Sequence, residues 1–408
     1  MQINSADTAF MLVATALVLI MTPGLAFFYG GLIGRKNVLA LMLQSFVSLG
    51  VTTVLWVVVG YSLCFGSDMG GYGIIGNPTD FFLLGGIAVG DLAPDLEIPV
   101  YLFVAYQLMF AIITPALITG AFANRMRFGA YLAFLVAWQL VVYYPFVHMV
   151  WGGGWLAERG VLDFAGGIVV HALAGMAALA TVFFLGKRRV SEQELHNIPF
   201  VALGTALLWF GWFGFNAGSA LAVNEIATLA FLNTQIGGAF AGATWMMLDW
   251  MLKKKPSKVG FCVGAVAGLA TITPAAGFVT PQSAMCIGIL AGSIPYAAVV
   301  FRQKKDWDDA LDVWAVHGIG GVVGIVALGV LATTEVNPAG ADGLFYGNSS
   351  FFVTQVTGVL VAIAWAFIVT YVLLWAINKV IPVRVSDEAE QAGLDEALHG
   401  ETAYVHTD

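Results

Sequence analysis

The chain alternates between long apolar segments and short polar segments from near its start to about residue 381. Each apolar segment has about 20 residues or more, which is long enough to cross the hydrocarbon core of a bilayer as a helix. A bilayer admits only helices and closed barrels, and the segments lack the alternation of barrel strands, so they predict α-helices. We predict eleven transmembrane helices, near residues 8–32, 38–65, 99–122, 128–150, 164–185, 198–218, 225–252, 259–278, 283–301, 310–332 and 351–381.

The basic residues are distributed unequally between the loops that join these segments. Only Arg159 falls on one side of the predicted membrane, whereas the other 16 of the 17 lysines and arginines fall on the opposite side. An excess of basic residues marks the cytoplasmic side. The pattern therefore predicts that the N-terminus lies outside and the C-terminus inside.

The fifth and tenth apolar segments have similar sequences. A Val-His pair lies among small residues in each of them, at Val170–His171 and at Val316–His317. Two five-helix halves would run through the membrane in opposite directions. We therefore predict an all-α polytopic membrane protein that contains a 5+5 inverted repeat and a long eleventh helix.

The two histidines of these pairs are the best candidates for functional groups inside the membrane. His171 follows Asp163 by eight residues, and His317 follows Asp309 by the same number, which places both roughly 12 Å into the bilayer. Ionisable residues at such a depth are costly and are functional candidates. Two separate buried histidines that bond only to backbone or water are the alternative. No carboxylate or thiol lies nearby at metal-ligand spacing, so we predict no metal site.

Aromatic residues cluster at the outer ends of the fourth to sixth segments. Trp151 precedes three glycines, and Phe215 and Ser219 are four residues apart, which places them on one helix face. Together with Asp163, they could bind a cation through π faces, a hydroxyl and a nearby carboxylate. The alternatives are an interfacial aromatic belt for Trp151 and a helix N-cap for Asp163.

The composition excludes several classes of protein. With 59% apolar and 10% charged residues, the chain is too apolar for a water-soluble enzyme. A net charge of -8 and the lack of a long basic run argue against nucleic-acid binding. The three cysteines have no CxxC spacing, so we predict neither a disulfide framework nor a zinc site. The first apolar run is too long for a signal peptide, so we expect no cleaved targeting segment.

Six motifs carry a resemblance to a known family. They are Phe27–Leu32, His148–Gly154, Leu162–Gly167, Gly211–Ser219, Thr273–Gly277 and His317–Gly321. From about Thr8 to Tyr404 the chain resembles the Amt/Mep/Rh ammonium transporter family, and within it the bacterial and archaeal Amt branch.

The resemblance implies a homotrimer whose subunits each have eleven helices and one pore. It implies that Phe110, Trp151 and Ser219 form an outer ammonium recruitment site. It also implies that Asp163 supports this site without touching the ion. Phe110 is identified by the resemblance alone.

The resemblance assigns further residues to the pore. Phe28 and Tyr143 match neighbours of the outer vestibule, Phe110 and Phe215 match a stacked phenyl gate below it, and the two histidines match the paired histidines of the pore. On this basis ammonium is recruited outside and deprotonated, and ammonia passes through an apolar pore.

The end of the chain differs from the rest because it is polar and acidic. We divide the chain into a transmembrane domain, residues 1–383, and a cytoplasmic C-terminal regulatory tail, residues 384–408. A disordered acidic tail is one interpretation. The alternative depends on Gly393–Asp395 and His399–Tyr404, which resemble the family's ordered C-terminal region, a region that packs beneath the trimer and meets a PII-type signal protein.

The sequence therefore predicts a multi-pass protein of the cell membrane that transports ammonium or ammonia, with methylammonium as a further candidate substrate, and that needs no cofactor. An ammonium sensor with the same fold is the first alternative. An intramembrane enzyme that uses the histidines is the second, but no paired carboxylate, thiol or other nucleophile lies near them.

Overall fold

The computed structural model describes residues 2–190 and 195–404, and this part of the chain is helical and contains no β-strand. Ten of its helices are long and apolar enough to cross a membrane, and one further apolar helix is shorter. In chain order they are α1 Ser5–Leu32, α2 Arg35–Phe65, α3 Val100–Ile118, α4 Phe128–Glu158, α5 Gly167–Leu185, α6 Ile198–Ala220, α7 Glu225–Lys253, α8 Lys258–Ile272, α9 Pro281–Lys305, α10 Trp314–Leu331 and α11 Ser349–Val380.

The short helix α8 accounts for the difference between ten and eleven. It begins after Ser257, whose hydroxyl accepts a hydrogen bond from the Gly260 N–H, and it ends at Ile272. Pro274 follows and has no N–H with which to continue the helix, so the rest of the predicted segment 259–278 forms turns. Eleven apolar helices thus occupy the predicted positions, while eleven membrane crossings and the orientation of the termini stay predictions.

The loops gather at two opposite ends of the helical bundle. At one end, which we call the N-terminal face, the Asn4 N–H donates to the Glu97 carbonyl. At the other end, the C-terminal face, the Val385 N–H donates to the Arg125 carbonyl. Basic residues that bond to loops at the C-terminal face include Arg125, Arg127, Lys187, Arg188 and Arg384.

The two histidine-bearing helices cross at very short distance. A Cβ atom added to Gly175 of α5 would lie 2.0 Å from the Gly318 backbone N of α10. A Cβ atom added to Gly321 would lie 2.7 Å from the Ala172 backbone N. Only glycine permits this contact, and small residues commonly serve this purpose between membrane helices. The crossing brings His171 and His317 together.

α5 and α10 also begin in the same way. Each starts with a π-helical turn, Gly167–Ala172 and Trp314–Ile319, and each turn contains the histidine. The π-turn of α5 follows Asp163, and that of α10 follows Asp309. Both aspartates are buried, and each carboxylate accepts hydrogen bonds from backbone N–H groups of its turn and of the residue just before it. π-turns within helices are often found at functional sites. This correspondence supports the predicted inverted repeat.

The chain after α11 packs onto the C-terminal face. A short helix, α12 Asp387–Ala392, is followed by a π-helical turn, Asp395–His399. The Asp395 carboxylate accepts hydrogen bonds from the Leu39 and Ala40 N–H groups of α2. The described part of the tail is therefore ordered against the bundle, and residues 405–408 of the predicted tail lie outside the described residues.

Candidate functional site

A large cavity opens at the N-terminal face. Its volume is ≈ 1100 Å³, and its wall includes Phe110 of α3, Trp151 of α4, Ser219 of α6 and Asp163 from the loop before α5. The structure thus brings together the four residues predicted for an outer cation site. We call this cavity the vestibule.

Trp151 is held in the vestibule wall by the backbone of Asp163. The indole N–H donates to the Asp163 carbonyl at 2.9 Å, and the indole ring meets Phe110 edge to face, with centroids 5.8 Å apart. An electron-rich ring face fixed in this way can bind a cation. The sequence left open whether Trp151 belongs to an aromatic belt or to a site, and its contacts place it in the vestibule.

The Asp163 carboxylate faces the start of α5. Its two oxygens accept hydrogen bonds from the N–H groups of four consecutive residues, 166–169, at 2.6–3.1 Å. Burial raises the pKa of Asp163 above its ordinary value, and the four N–H donors oppose that rise. Asp163 therefore caps the N–H groups at the start of α5, whose N-cap position is Gly166, and it also supports Trp151 through its carbonyl.

Ser219 presents a hydroxyl oxygen at the vestibule floor. Its O–H donates to the Phe215 carbonyl at 2.8 Å, which leaves oxygen lone pairs free to accept a hydrogen bond from a ligand. The Tyr106 hydroxyl lies 3.3 Å from the Ser219 hydroxyl and is also within 2.9 Å of the Phe215 carbonyl. Tyr106 was not predicted, because nothing in its local sequence distinguishes it from other apolar helix positions.

Below the vestibule, two phenyl rings close the path. The centroids of Phe110 and Phe215 lie 4.3 Å apart at an interplanar angle of 38°, so the rings are tilted towards each other rather than parallel. Both side chains are buried. The predicted pair is in contact, so the two rings must move apart before a molecule can pass between them.

A narrow cavity lies on the other side of Phe215. Its volume is ≈ 10 Å³, about the space needed by one water molecule. Its wall consists mainly of aliphatic side chains, and it is lined by Met21, Leu25, Ile113, Leu117, Val170, His171, Leu208, Trp212, Phe215, Val266 and His317. We call this cavity the bore.

The two histidines of the bore are in direct contact. Their Nδ1 atoms lie 3.3 Å apart, and the imidazole planes are inclined by 21°. A hydrogen bond between two Nδ1 atoms requires one donor and one acceptor, so the outer Nε2 atoms then have opposite roles. The pair therefore offers one N–H donor and one lone-pair acceptor. In the described part of the chain, no three His, Cys, Asp or Glu side chains come together as metal ligands.

Trp212 fixes one of these imidazoles. Its ring stacks on His171 with centroids 5.4 Å apart, and its indole N–H donates to the Thr273 hydroxyl at 2.9 Å. Trp212 lies in one of the six motifs, but we predicted no role for it, because its partners come from α5 and from the turn after α8.

The structure does not bring Phe28 or Tyr143 to the vestibule, and their predicted position is wrong. Phe28 lies near the end of α1, one turn beyond Leu25 of the bore and towards the C-terminal face. Tyr143 is buried in the middle of α4 and stacks against Trp138. Phe28 lies in one of the six motifs, but a motif does not specify the depth at which a side chain lies.

Comparison with known proteins shows the family. Residues 9–404 match the Ammonium Transporter Family. An ammonium transporter of Bacillus subtilis is 47% identical over 98% of this chain and 98% of its own length. Ammonium transporter Amt1 of Archaeoglobus fulgidus is 46% identical over 98% of this chain and 100% of its own length.

A solved structure has the same fold. It is described as a sensor Amt protein and is 31% identical, with a TM-score of 0.89, over 97% of this chain and 98% of its own. The agreement extends over nearly the whole of both chains. The chain belongs to the ammonium transporter family.

Proposed function

We propose that this protein transports ammonium across the membrane by binding the cation in the vestibule and passing neutral ammonia through the bore. One observation carries the proposal. A wide vestibule with aromatic faces and a hydroxyl leads, across the Phe110–Phe215 pair, into a bore whose polar side-chain groups come from paired histidines and one tryptophan.

The vestibule suits an ammonium ion. Trp151 and Phe110 provide π faces, and Ser219 provides an acceptor oxygen. Potassium has a similar size and the same charge, but it cannot donate a hydrogen bond. Selection for ammonium would therefore depend on directed acceptors as well as on the aromatic rings.

The bore suits a neutral molecule. An unpaired ion in such an apolar space would cost tens of kcal/mol by a simple Born estimate, whereas a neutral polar group costs a few. None of the described residues that line the bore has a carboxylate to pair with a cation. Ammonium would therefore give up its proton to water in the vestibule before its nitrogen enters the bore, and a proton would cross separately along the histidine pair.

The histidine pair provides what ammonia needs in the middle of the membrane. Ammonia can donate N–H hydrogens and accept one hydrogen bond at its lone pair. The pair presents one acceptor and one donor at its outer nitrogens, which matches both needs. The same contact gives a proton a route between the two rings.

The protein is a multi-pass membrane protein, and we assign it to the cell membrane. The vestibule and the bore lie within a single chain, so each subunit of the proposed homotrimer would have its own pore. The ordered tail at the C-terminal face is where a PII-type signal protein would bind. Methylammonium is small enough to enter the vestibule and is therefore a further candidate substrate of the protein.

An ammonium sensor is the second candidate, because the solved structure described as a sensor Amt protein shares this fold. A sensor would bind ammonium in the vestibule but pass little of it. The fold is common to both functions, so only flux distinguishes them.

The test is ammonium-driven flux in proteoliposomes that contain the purified protein. We expect nitrogen uptake and charge movement that saturate with ammonium and are not reproduced by potassium. Empty liposomes and liposomes with the His171→Asp variant serve as controls. Binding of ammonium without flux would favour the sensor. If the protein showed neither binding nor flux, both proposed functions would be overturned.

A further inference from the structure

Helix α11 contributes a buried polar side chain behind the vestibule wall. Gln355 has an exposed fraction of 0% and lies where α11 packs against the loop before α5. The Leu162 N–H donates to Gln355 Oε1 at 2.9 Å, and Gln355 Nε2 donates to the Leu162 carbonyl at 2.7 Å. One side-chain amide therefore satisfies both backbone groups of a single loop residue.

The residue held in this way is next to the group that holds Trp151. Leu162 is bonded to Gln355, and the carbonyl of the following residue, Asp163, accepts the hydrogen bond from the Trp151 indole. Leu162 and Asp163 both line the vestibule. A shift of Leu162 would move the Asp163 carbonyl, and the indole would follow or lose its partner.

Neighbouring contacts fix the loop on either side but do not replace Gln355. The Val161 N–H donates to the Leu156 carbonyl at 3.0 Å, and the Phe164 N–H donates to the Pro274 carbonyl at 3.2 Å. Among the described hydrogen bonds, the backbone groups of Leu162 are paired with Gln355. Buried backbone groups need such partners.

Two glycines make the fit between α11 and its neighbours close. A Cβ atom added to Gly358 would lie 3.0 Å from both methyl groups of Val161. A Cβ atom added to Gly329 of α10 would lie 3.2 Å from Cβ of Gln355. The amide therefore sits in a tightly packed position in which a small change of length or polarity would displace the loop.

We propose that Gln355 is a positioning residue for the cation site, because it fixes the Asp163 carbonyl and so sets the position of the Trp151 ring in the vestibule. This role rests on the proposed function, in which the ring binds ammonium. Cation–π attraction depends on the distance between the cation and the ring and on whether the cation lies over the face of the ring. Loss of Gln355 would therefore weaken ammonium binding more than it slows the passage of ammonia.

The first test compares three single variants in proteoliposomes, with uptake normalised to the amount of folded protein. Gln355→Met keeps a similar length but loses both hydrogen bonds. Gln355→Glu keeps an acceptor for the Leu162 N–H but turns a second oxygen towards the Leu162 carbonyl. Thr357→Val is the matched control, because Thr357 is an exposed residue of the same helix and bonds only within it.

We expect the half-saturating ammonium concentration to rise about fivefold to tenfold in Gln355→Met and at least as much in Gln355→Glu, which corresponds to the loss of about one net hydrogen bond. The maximal rate should change little, and Thr357→Val should behave as the parent. A lower maximal rate with an unchanged half-saturating concentration would mean that Gln355 supports the fold only, and would overturn its role.

The second test combines Gln355→Met with Trp151→Leu. If Gln355 acts through Trp151, the double variant should have the half-saturating concentration of Trp151→Leu alone. Equal effects of Gln355→Met in both backgrounds would overturn the proposal for Gln355 while leaving the cation site intact. No effect of Trp151→Leu by itself would instead remove the cation site, and the role of Gln355 with it.

Discussion

At the scale of single residues, we propose that Ser219 and Trp151 distinguish ammonium from potassium. The Ser219 oxygen can accept a hydrogen bond, which potassium cannot donate. We expect Ser219→Ala to weaken ammonium binding by about 1 kcal/mol, the typical net value of one hydrogen bond. Trp151→Leu should reduce selectivity over potassium as well, because it removes the π face. Competition between the two ions for uptake in liposomes measures both effects, and parent-like competition in both variants would argue against the site.

The paired histidines differ from the vestibule residues because they face a space with no fixed charge. His171→Asp would introduce a carboxylate with which a cation can pair, so we expect potassium to enter or to compete. His317→Ala would remove one partner of the Nδ1 contact, so ammonium-driven charge movement should fall. Current and potassium flux for both variants and the parent are the measurement. Parent-like values throughout would mean that the pair is structural.

The histidines could be found from the sequence, whereas most of their neighbours could not. An ionisable residue within an apolar run is conspicuous, and the repeated Val-His pair made it more so. Tyr106 and Trp212 look like ordinary apolar helix residues, and Gln355 is one of several polar residues in a long apolar helix. Their roles depend on contacts between distant helices, which no local pattern records.

At the scale of elements, the start of α5 depends on one carboxylate. Asp163 satisfies four N–H groups that otherwise have no partner at a helix N-terminus. We expect Asp163→Ala to lower the free energy of unfolding by about 2–4 kcal/mol and to reduce transport, because α5 loses its capping carboxylate and the backbone carbonyl that accepts from Trp151 is no longer anchored to α5. Thermal unfolding in detergent together with uptake is the measurement.

A second N-cap provides the matched control. Thr280 caps α9 with one hydroxyl that accepts a hydrogen bond from the Ser283 N–H, and it is not among the residues that line the vestibule or the bore. Thr280→Ala should cost only about 1 kcal/mol and leave uptake per folded protein unchanged. If the two variants had equal effects on uptake, Asp163 would be an ordinary cap with no bearing on the site.

Apolar length was sufficient to predict the positions of the helices, but not how they end or bend. Pro274 ends α8 before the predicted segment is complete, and this could have been read from the sequence. The π-turns at the two histidines could not, because no local pattern marks them and they lie beside the contact between α5 and α10 at Gly175 and Gly318. The eight-residue spacing between aspartate and histidine, which α5 and α10 share, is the part of this geometry that can be read from the sequence.

At the scale of the whole molecule, charge and apolar pattern separate the two faces. Arg125, Arg384 and their neighbours lie at the C-terminal face together with the tail. By the positive-inside rule this face is cytoplasmic, which remains a prediction of orientation. The vestibule then faces outwards, as uptake of ammonium from outside the cell would require.

The tail is coupled to the bundle by buried carboxylates. Glu390 accepts hydrogen bonds from the Arg189 N–H and from Arg384, and Asp395 accepts two from the first turn of α2. These contacts join the tail to the loop after α5 and to the start of α2. A change in the tail could therefore reach the helix that carries His171.

Deletion of residues 387–408 should leave a folded, inserted protein, because the eleven apolar helices do not depend on the tail for burial. We expect reduced transport or loss of regulation by a PII-type protein, since the loops after α5 lose the Glu390 carboxylate and α2 loses Asp395. Asp395→Asn is the finer variant: it keeps the length of the tail but weakens charge-assisted bonds worth about 1.5–3 kcal/mol. Uptake with and without the signal protein, and oligomer size in detergent, measure the effects. Full activity and intact regulation in the truncated protein would show that the packed tail has no control over the pore.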